Sequence, residues 1–187
     1  MQFIVSPVQQ NSVSYPGLDP NKRYVIAASN SGHVLTVRGD GVYLEQRKWS
    51  ENAAQQWRIE KISGTNYHKI ISVASGKVLD IEGGSTSDLA KVCVWSWGGG
   101  NNQQFELIYL GASKFRIQAC HSGKAFDVEG GGNAEGASII QYSWHGGNNQ
   151  QFRISELLDM SAGPSFDSRV TLYEHGSYGG VSKQLGL

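Results

Sequence analysis

One short motif occurs three times at nearly constant spacing, and that repetition constrains the fold more than any other feature of the chain. Ala54-Gln55-Gln56-Trp57-Arg58-Ile59 returns as Asn102-Gln103-Gln104-Phe105-Glu106-Leu107 and again as Asn149-Gln150-Gln151-Phe152-Arg153-Ile154. The aromatic anchors stand at 57, 105 and 152, a period of 47 to 48 residues. A second string keeps step with the first: Ile26 with Ser31-Gly32, Ile70 with Ser75-Gly76, and Ile117 with Ser122-Gly123. An apolar run follows each time, Val34-Leu35-Thr36-Val37, Val78-Leu79-Asp80-Ile81 or Ala125-Phe126-Asp127-Val128. A period sustained over most of a chain signals repeated supersecondary units that share one core.

Each unit reads as about four short strands joined by Gly, Asn and Ser turns, and the 24 glycines, 5 tryptophans and 8 tyrosines come with little helical patterning. The expected fold is all-β. No unit of this size buries its apolar face alone, so three of them closed around a pseudo-threefold axis is the natural solution. Trp57, Phe105 and Phe152 are then core rings on that axis, each adding about 2 to 3 kcal/mol on burial.

The 187 residues suit one domain plus a tail. Lys+Arg and Asp+Glu are both 16, so the formal net charge is zero, which points away from nucleic acid and acidic membranes as partners. Cys93 and Cys120 are too few for a disulfide framework and lack metal-ligand spacing, although a single bridge stays open. The start, Met1 to Pro7, carries neither a basic n-region nor a long apolar run. The expectation is a cytoplasmic protein without membrane insertion, unless the chain was cut from a longer precursor.

The repeated Gln-Gln-aromatic resembles the Gln-x-Trp signature of ricin B-type lectin domains, over about residues 20 to 157. That resemblance implies a β-trefoil of residues 20–160, with repeats of about 20–62, 63–110 and 111–157, each able to carry one shallow sugar site. A neutral sugar presents C–H bonds on one face and vicinal hydroxyls at its edge. A site therefore needs an aromatic platform, a carboxylate that accepts from hydroxyls, and amides that donate and accept. In the family these are an early Asp, an aromatic about fifteen positions later, and an Asn-Gln pair before the core aromatic. Repeat two supplies Asp80, Trp95, Asn102 and Gln103; repeat three supplies Asp127, Tyr142, Asn149 and Gln150. Cys93 and Ile140 stand two positions before the platforms, where the family sometimes uses Gln. Repeat one departs, with Thr36, Arg47 and Ala54 at the matching positions, and is expected to be structural.

Plainer roles compete for these residues. Asp80 and Asp127 each stand near a strand end, two residues before Glu-Gly-Gly, and would serve as turn caps through their own backbone. Asn102 and Asn149 would serve to close Gly-Gly-Asn-Asn loops. Their joint recurrence at equal offsets favours the ligand reading. Trp97 and Trp144, two residues beyond the platforms, are expected to pack where many family members place a disulfide, since Val78 and Ala125 stand opposite. His145 is expected to be solvated, and His33, His68 and His121 share no metal spacing.

No catalytic constellation, metal site or cofactor motif stands out. Glu82 and Glu129 recur with the fold's symmetry and so would not share one cleft, as a glycosidase pair must. The expected function is non-enzymatic binding of neutral, galactose-type glycans. The rival readings are a structural or protein-interaction trefoil with relic sites, and the targeting domain of a larger enzyme or toxin.

Residues 1–19 read as an N-terminal arm. After Ile154 the chain passes through Ser161-Ala162-Gly163-Pro164-Ser165, a linker-like composition. Residues 161–187 then include Val170 to Gly180, whose Tyr173, Tyr178 and Gly180 resemble the opening strand and tyrosine corner of a βγ-crystallin Greek-key motif. Only half of one motif is covered. A longer parent protein is the favoured expectation, with a lone hairpin packed on the trefoil as the alternative. The family's calcium-binding segment comes later in each motif.

Overall fold

The structure is a computed structural model that describes residues 17–158. The crystallin-like segment and most of the N-terminal arm lie outside the described residues.

Among the described residues twelve strands run in chain order, four to a repeat. Repeat one holds β1 (Arg23–Ala28), β2 (Val34–Val37), β3 (Leu44–Arg47) and β4 (Trp57–Lys61). Repeat two holds β5 (Tyr67–Ser72), β6 (Val78–Ile81), β7 (Val92–Trp95) and β8 (Phe105–Gly111). Repeat three holds β9 (Lys114–Ala119), β10 (Ala125–Val128), β11 (Ile139–Tyr142) and β12 (Phe152–Leu157). The first and last strands of the repeats pair in a closed antiparallel ring: β1 with β4, β4 with β5, β5 with β8, β8 with β9, β9 with β12, and β12 with β1. Closure leaves the ring without an edge strand. The inner strands form three hairpins, β2–β3, β6–β7 and β10–β11, in one register: Thr36 faces Glu45, Asp80 faces Cys93, and Asp127 faces Ile140. This is the β-trefoil.

Period-two alternation puts Tyr24, Ile26 and Ala28 of β1 inward, and Ile26, Ile70 and Ile117 are fully buried at equivalent places. The recurrent anchors Trp57, Phe105 and Phe152 are all fully buried, as their spacing predicts. Phe126 packs edge-on against Phe105 at 5.1 Å and against Phe152 at 6.5 Å, within the range where ring edges meet ring faces favourably. The Trp57 indole donates to the Leu35 carbonyl at 3.3 Å, so its one polar atom is satisfied in the core.

The hairpins touch one another through isolated bridges, Tyr43 to Cys93, Lys91 to Ile140 and Glu45 to Ser138. Each repeat thus leans one residue against the next hairpin, an arrangement that no offset within a repeat reveals. Two buried glutamines add to the joints. Gln141 Nε2 donates to the Ser85 and Ser87 carbonyls at 2.7 and 2.9 Å, and Gln46 Nε2 donates to those of Gly132 and Ala134 at 2.8 Å each. The long loops between Asp and platform in repeats two and three are therefore pinned by the neighbouring repeat.

Candidate carbohydrate sites

In repeat two, alternation along β6 and β7 sends Leu79, Ile81, Val92 and Val94 into the core and turns Asp80, Cys93 and Trp95 to the opposite face. Asp80 is only 6% exposed, yet its partners do not come from its own turn. Oδ1 accepts from Asn102 Nδ2 at 2.9 Å, and Oδ2 accepts from Gln103 Nε2 at 2.7 Å. Both donors lie in the single helical turn Asn101–Gln103 that leads into β8. The buried Phe105 that anchors the core thereby also fixes where the amides stand. Burial holds the Asp80 carboxyl above the usual carboxylate range, outweighing the opposing pull of the Gln103 and Asn102 donors.

Trp95 offers a flat ring, 59% exposed, beside this carboxylate, with Lys77 Nζ 5.7 Å from the ring centroid. The residues enclose a cavity of about 430 Å³ together with Cys93, Glu82 and a residue from repeat one, Tyr43. Cys93 forms its floor; burial pushes the thiol pKa up to about 12, so it stays protonated and unreactive.

Repeat three builds the same site with different trim. Asp127 is 3% exposed, and its Oδ1 accepts from Asn149 Nδ2 at 2.9 Å. Burial again raises its carboxyl, against the Asn149, Gln150 and His145 contacts that lower it. His145 Nε2 lies 3.5 Å from Asp127 Oδ2 and its ring meets the Tyr142 platform at 6.2 Å, so the imidazole belongs to the site and is not simply solvated. The cavity, about 540 Å³, is also lined by Leu89 of repeat two. Leu89 adopts φ 69°, where the equivalent turn positions carry Gly41 and Gly136 at φ 72° and 88°. A leucine held in the left-handed region is strained by roughly 1 to 2 kcal/mol, and it sits at the mouth of a site.

Repeat one has spent its polar groups on itself. The Thr36 hydroxyl donates to Val34 O at 3.0 Å and accepts from Gln55 Nε2 at 3.2 Å. Arg47, in the platform position, folds onto Glu45 with Nε 2.7 Å from Oε1. Ala54 supplies no amide. The loop from Thr36 to Arg47 is also shorter, eleven residues against fifteen in the other repeats.

Gln103 and Gln150, expected as sugar contacts, are 4% and 0% exposed and engaged with the protein at both ends of the amide. Gln103 Oε1 accepts from Gly98 N at 2.7 Å while Nε2 serves Asp80 and Ser96 O; Gln150 Oε1 accepts from His145 N at 2.8 Å while Nε2 donates to Ser143 O at 3.0 Å. Gln55 makes the same loop-closing bonds in repeat one, where Thr36 replaces the Asp, so this amide closes the loop and, in repeat two, also orients Asp80. Trp97 and Trp144 do not fill a buried space either. Trp97 is 43% exposed with Lys69 Nζ 5.6 Å from its ring, and half-buried Trp144 carries the Arg116 guanidinium at 4.9 Å. Trp49 holds the same place in repeat one, so the surface indole follows the fold's symmetry and not the sites.

Tyr43, Leu89 and Gln141 were not singled out from sequence. Each acts on a repeat other than its own, and only Leu89 left a trace, as a bulky residue at a position that is Gly in both other repeats.

The ricin-type beta-trefoil lectin domain-like family model matches residues 9–95, 55–142 and 101–166 in three overlapping passes. The chain belongs to that family, a class of carbohydrate-binding β-trefoil modules. Among solved structures it is similar to ThreeFoil, a designed threefold-symmetric protein, with 42% identity and a TM-score of 0.70 over 72% of this chain and 99% of that one. It is also similar to an exo-β-1,3-galactanase from Clostridium thermocellum, with 29% identity and a TM-score of 0.70 over 75% of this chain and 31% of the enzyme. A Macrolepiota procera ricin B-like lectin, solved with lactose, shares the fold at 20% identity and a TM-score of 0.65, over 75% of this chain and 99% of that one. A comparison with curated protein sequences returns no match.

Proposed function

We propose that the chain is a lectin module that binds neutral, galactose-type glycans without chemical turnover, through one site in repeat two and one in repeat three. The observation that carries this reading is the duplicated constellation. In both repeats a buried Asp is held by an Asn 22 residues further on, beside an aromatic ring, at the mouth of a cavity. A carboxylate that only capped its turn would bond its own backbone, and neither does. Asp80 and Asp127 would accept from vicinal hydroxyls, Trp95 and Tyr142 would cover the C–H face, and Asn102 and Asn149 would complete the hydroxyl contacts. Gln103 and Gln150 would hold the frame.

The preference for galactose-type sugars draws support from the galactanase, of which the chain spans 31% at 29% identity. The same likeness supports a role as the targeting domain of a larger enzyme, in which this module would still only bind. A shallow single site of this kind corresponds to a Kd of about 0.1 to 1 mM, so density of display would set the working affinity.

A glycan array probed with the parent chain and with the folded double variant Asp80→Ala/Asp127→Ala tests the reading. Binding lost in the variant is expected. Silence of the parent on a dense array would favour an interaction scaffold instead.

A further inference from the structure

The two cavities share their Asp, platform and Asn but differ in the wall that the preceding repeat supplies. The bridges place Asp80, Cys93 and Tyr43 side by side on three adjacent chain segments. Partners across an antiparallel ladder turn their side chains to the same face, so Tyr43 stands on the far side of the Cys93 floor from Asp80. Trp95 lies two residues along from Cys93 on that face, a diagonal neighbour of Tyr43 at about 7 to 8 Å. Tyr43 and Trp95 line the same cavity, together with Asp80, Glu82 and Asn102.

Tyr43 is also held in place. Its hydroxyl donates to Glu82 Oε1 at 2.5 Å, Lys91 Nζ lies 5.0 Å from its ring centroid, and Asp40 Oδ1 accepts from the backbone N–H groups of Val42 and Tyr43 at 2.9 and 3.1 Å. Val94 N donates to Val42 O at 2.8 Å, tying this segment to β7 itself. At the matching bridge position the repeat-three site has Lys91 and repeat one has Ser138, so among the described residues the ring wall occurs at one site alone.

We infer that Tyr43 is the second wall of the repeat-two sugar site. With Trp95 it forms a slot that selects a terminal neutral pyranose. The inference rests on the lectin reading above. The two rings cover the C–H surface of a neutral sugar, and the carboxylates of Asp80 and Glu82 at the edge of the slot repel an acidic one. The repeat-three cavity has Leu89 and no second aromatic wall, and Asp127, beside His145, is the one carboxylate among its lining residues, so the two sites differ in selectivity although their motifs match.

The test reads each site alone, in Asp127→Ala chain for repeat two and in Asp80→Ala chain for repeat three, with lactose and sialyllactose as probes and calorimetry or indole N–H shifts as readout. At repeat two, lactose is expected to bind at least tenfold more tightly than sialyllactose; Tyr43→Ala is expected to weaken lactose about tenfold and Tyr43→Phe by threefold or less. Lactose at repeat three is expected to be indifferent to Tyr43→Ala, which a folding defect would not allow. Binding at repeat two that survives Tyr43→Ala, or equal losses at both sites, would overturn the slot while leaving the lectin reading intact. Failure of lactose to bind at either site would overturn both.

Discussion

Adding one methyl group at Gly100 should dismantle the repeat-two site without unfolding the protein. Gly100 has φ −64° and ψ 150°, a conformation open to any residue, so its glycine is not required by the backbone angles. It is required for clearance: a Cβ there would lie 2.5 Å from Asn102 Oδ1, where ordinary contact begins near 3.4 Å. The amide must withdraw by roughly the difference, close to 1 Å. That stretches the 2.9 Å bond from Nδ2 to Asp80 beyond hydrogen-bond range. Because the obstructing atom ends a side chain, the core need not move, and the stability cost should stay below about 1 kcal/mol. A charge-assisted bond is worth about 1.5 to 3 kcal/mol net, and partial solvent access reduces this, so a loss of about 1 to 1.5 kcal/mol, or five- to tenfold in affinity, is expected. Repeat one supports the argument from within the molecule: it has Ala54 in place of the amide and tolerates Asn52 where the others have Gly, at a similar φ of −69°. Gly147→Ala should do more harm at repeat three, since its Cβ would meet Asn149 Oδ1 at 2.5 Å and His145 Cε1 at 2.7 Å. Titration of lactose into the single-site chains, alongside urea unfolding, measures both quantities. Unchanged affinity in Gly100→Ala, or a stability loss above about 2 kcal/mol, would refute the reasoning.

Acid should act on affinity and stability in opposite directions. Burial raises the Asp80 and Asp127 carboxyls, so sugar binding should fade at a pH above the usual carboxylate range as these acceptors protonate. A folded-state value raised above the unfolded 3.8 means their stabilising contribution is complete below 3.8 and lost as pH rises through the raised value. Urea unfolding of the parent and of Asp80→Asn/Asp127→Asn from about pH 3 to 7 should show this contribution disappear towards neutral pH, while lactose titrations show affinity rise. Leu89→Gly should relieve left-handed strain and stabilise the fold by up to about 1 kcal/mol while weakening repeat three only, measured by thermal unfolding and by the Asp80→Ala titration. Trp57→Ala should cost about 3 to 5 kcal/mol in denaturant titration, since the indole is fully buried and donates to Leu35 O.

The fold was legible because a symmetric core demands the same residue at the same offset: Trp57, Phe105 and Phe152 announced it, and Ile26, Ile70 and Ile117 confirmed the phase. The recurrence of Asp80 as Asp127 and of Trp95 as Tyr142 at equal offsets was legible for the same reason, and so was the departure of repeat one at Thr36, Arg47 and Ala54. What the repeat could not show is anything that crosses between repeats. Tyr43 and Leu89 wall the sites of their neighbours, and Gln141 pins the loop of repeat two, because the three hairpins meet at bridges that join residues 43 to 93 and 91 to 140. Offsets also cannot separate a ligand contact from its support. Gln103 and Gln150 occupy motif positions, but the short helical turn before each core aromatic points their amides into the loop rather than at solvent. The surface indoles misled for a related reason, since recurrence of Trp97 and Trp144 suggested packing while the structure leaves them outside, beneath Lys69 and Arg116.

Titration calorimetry with lactose, counting sites, tests the central claim most directly. The account predicts two sites on the parent chain, one on Asp80→Ala, one on Asp127→Ala and none on the folded double variant. A third site, or binding that persists when both carboxylates are gone, would contradict it.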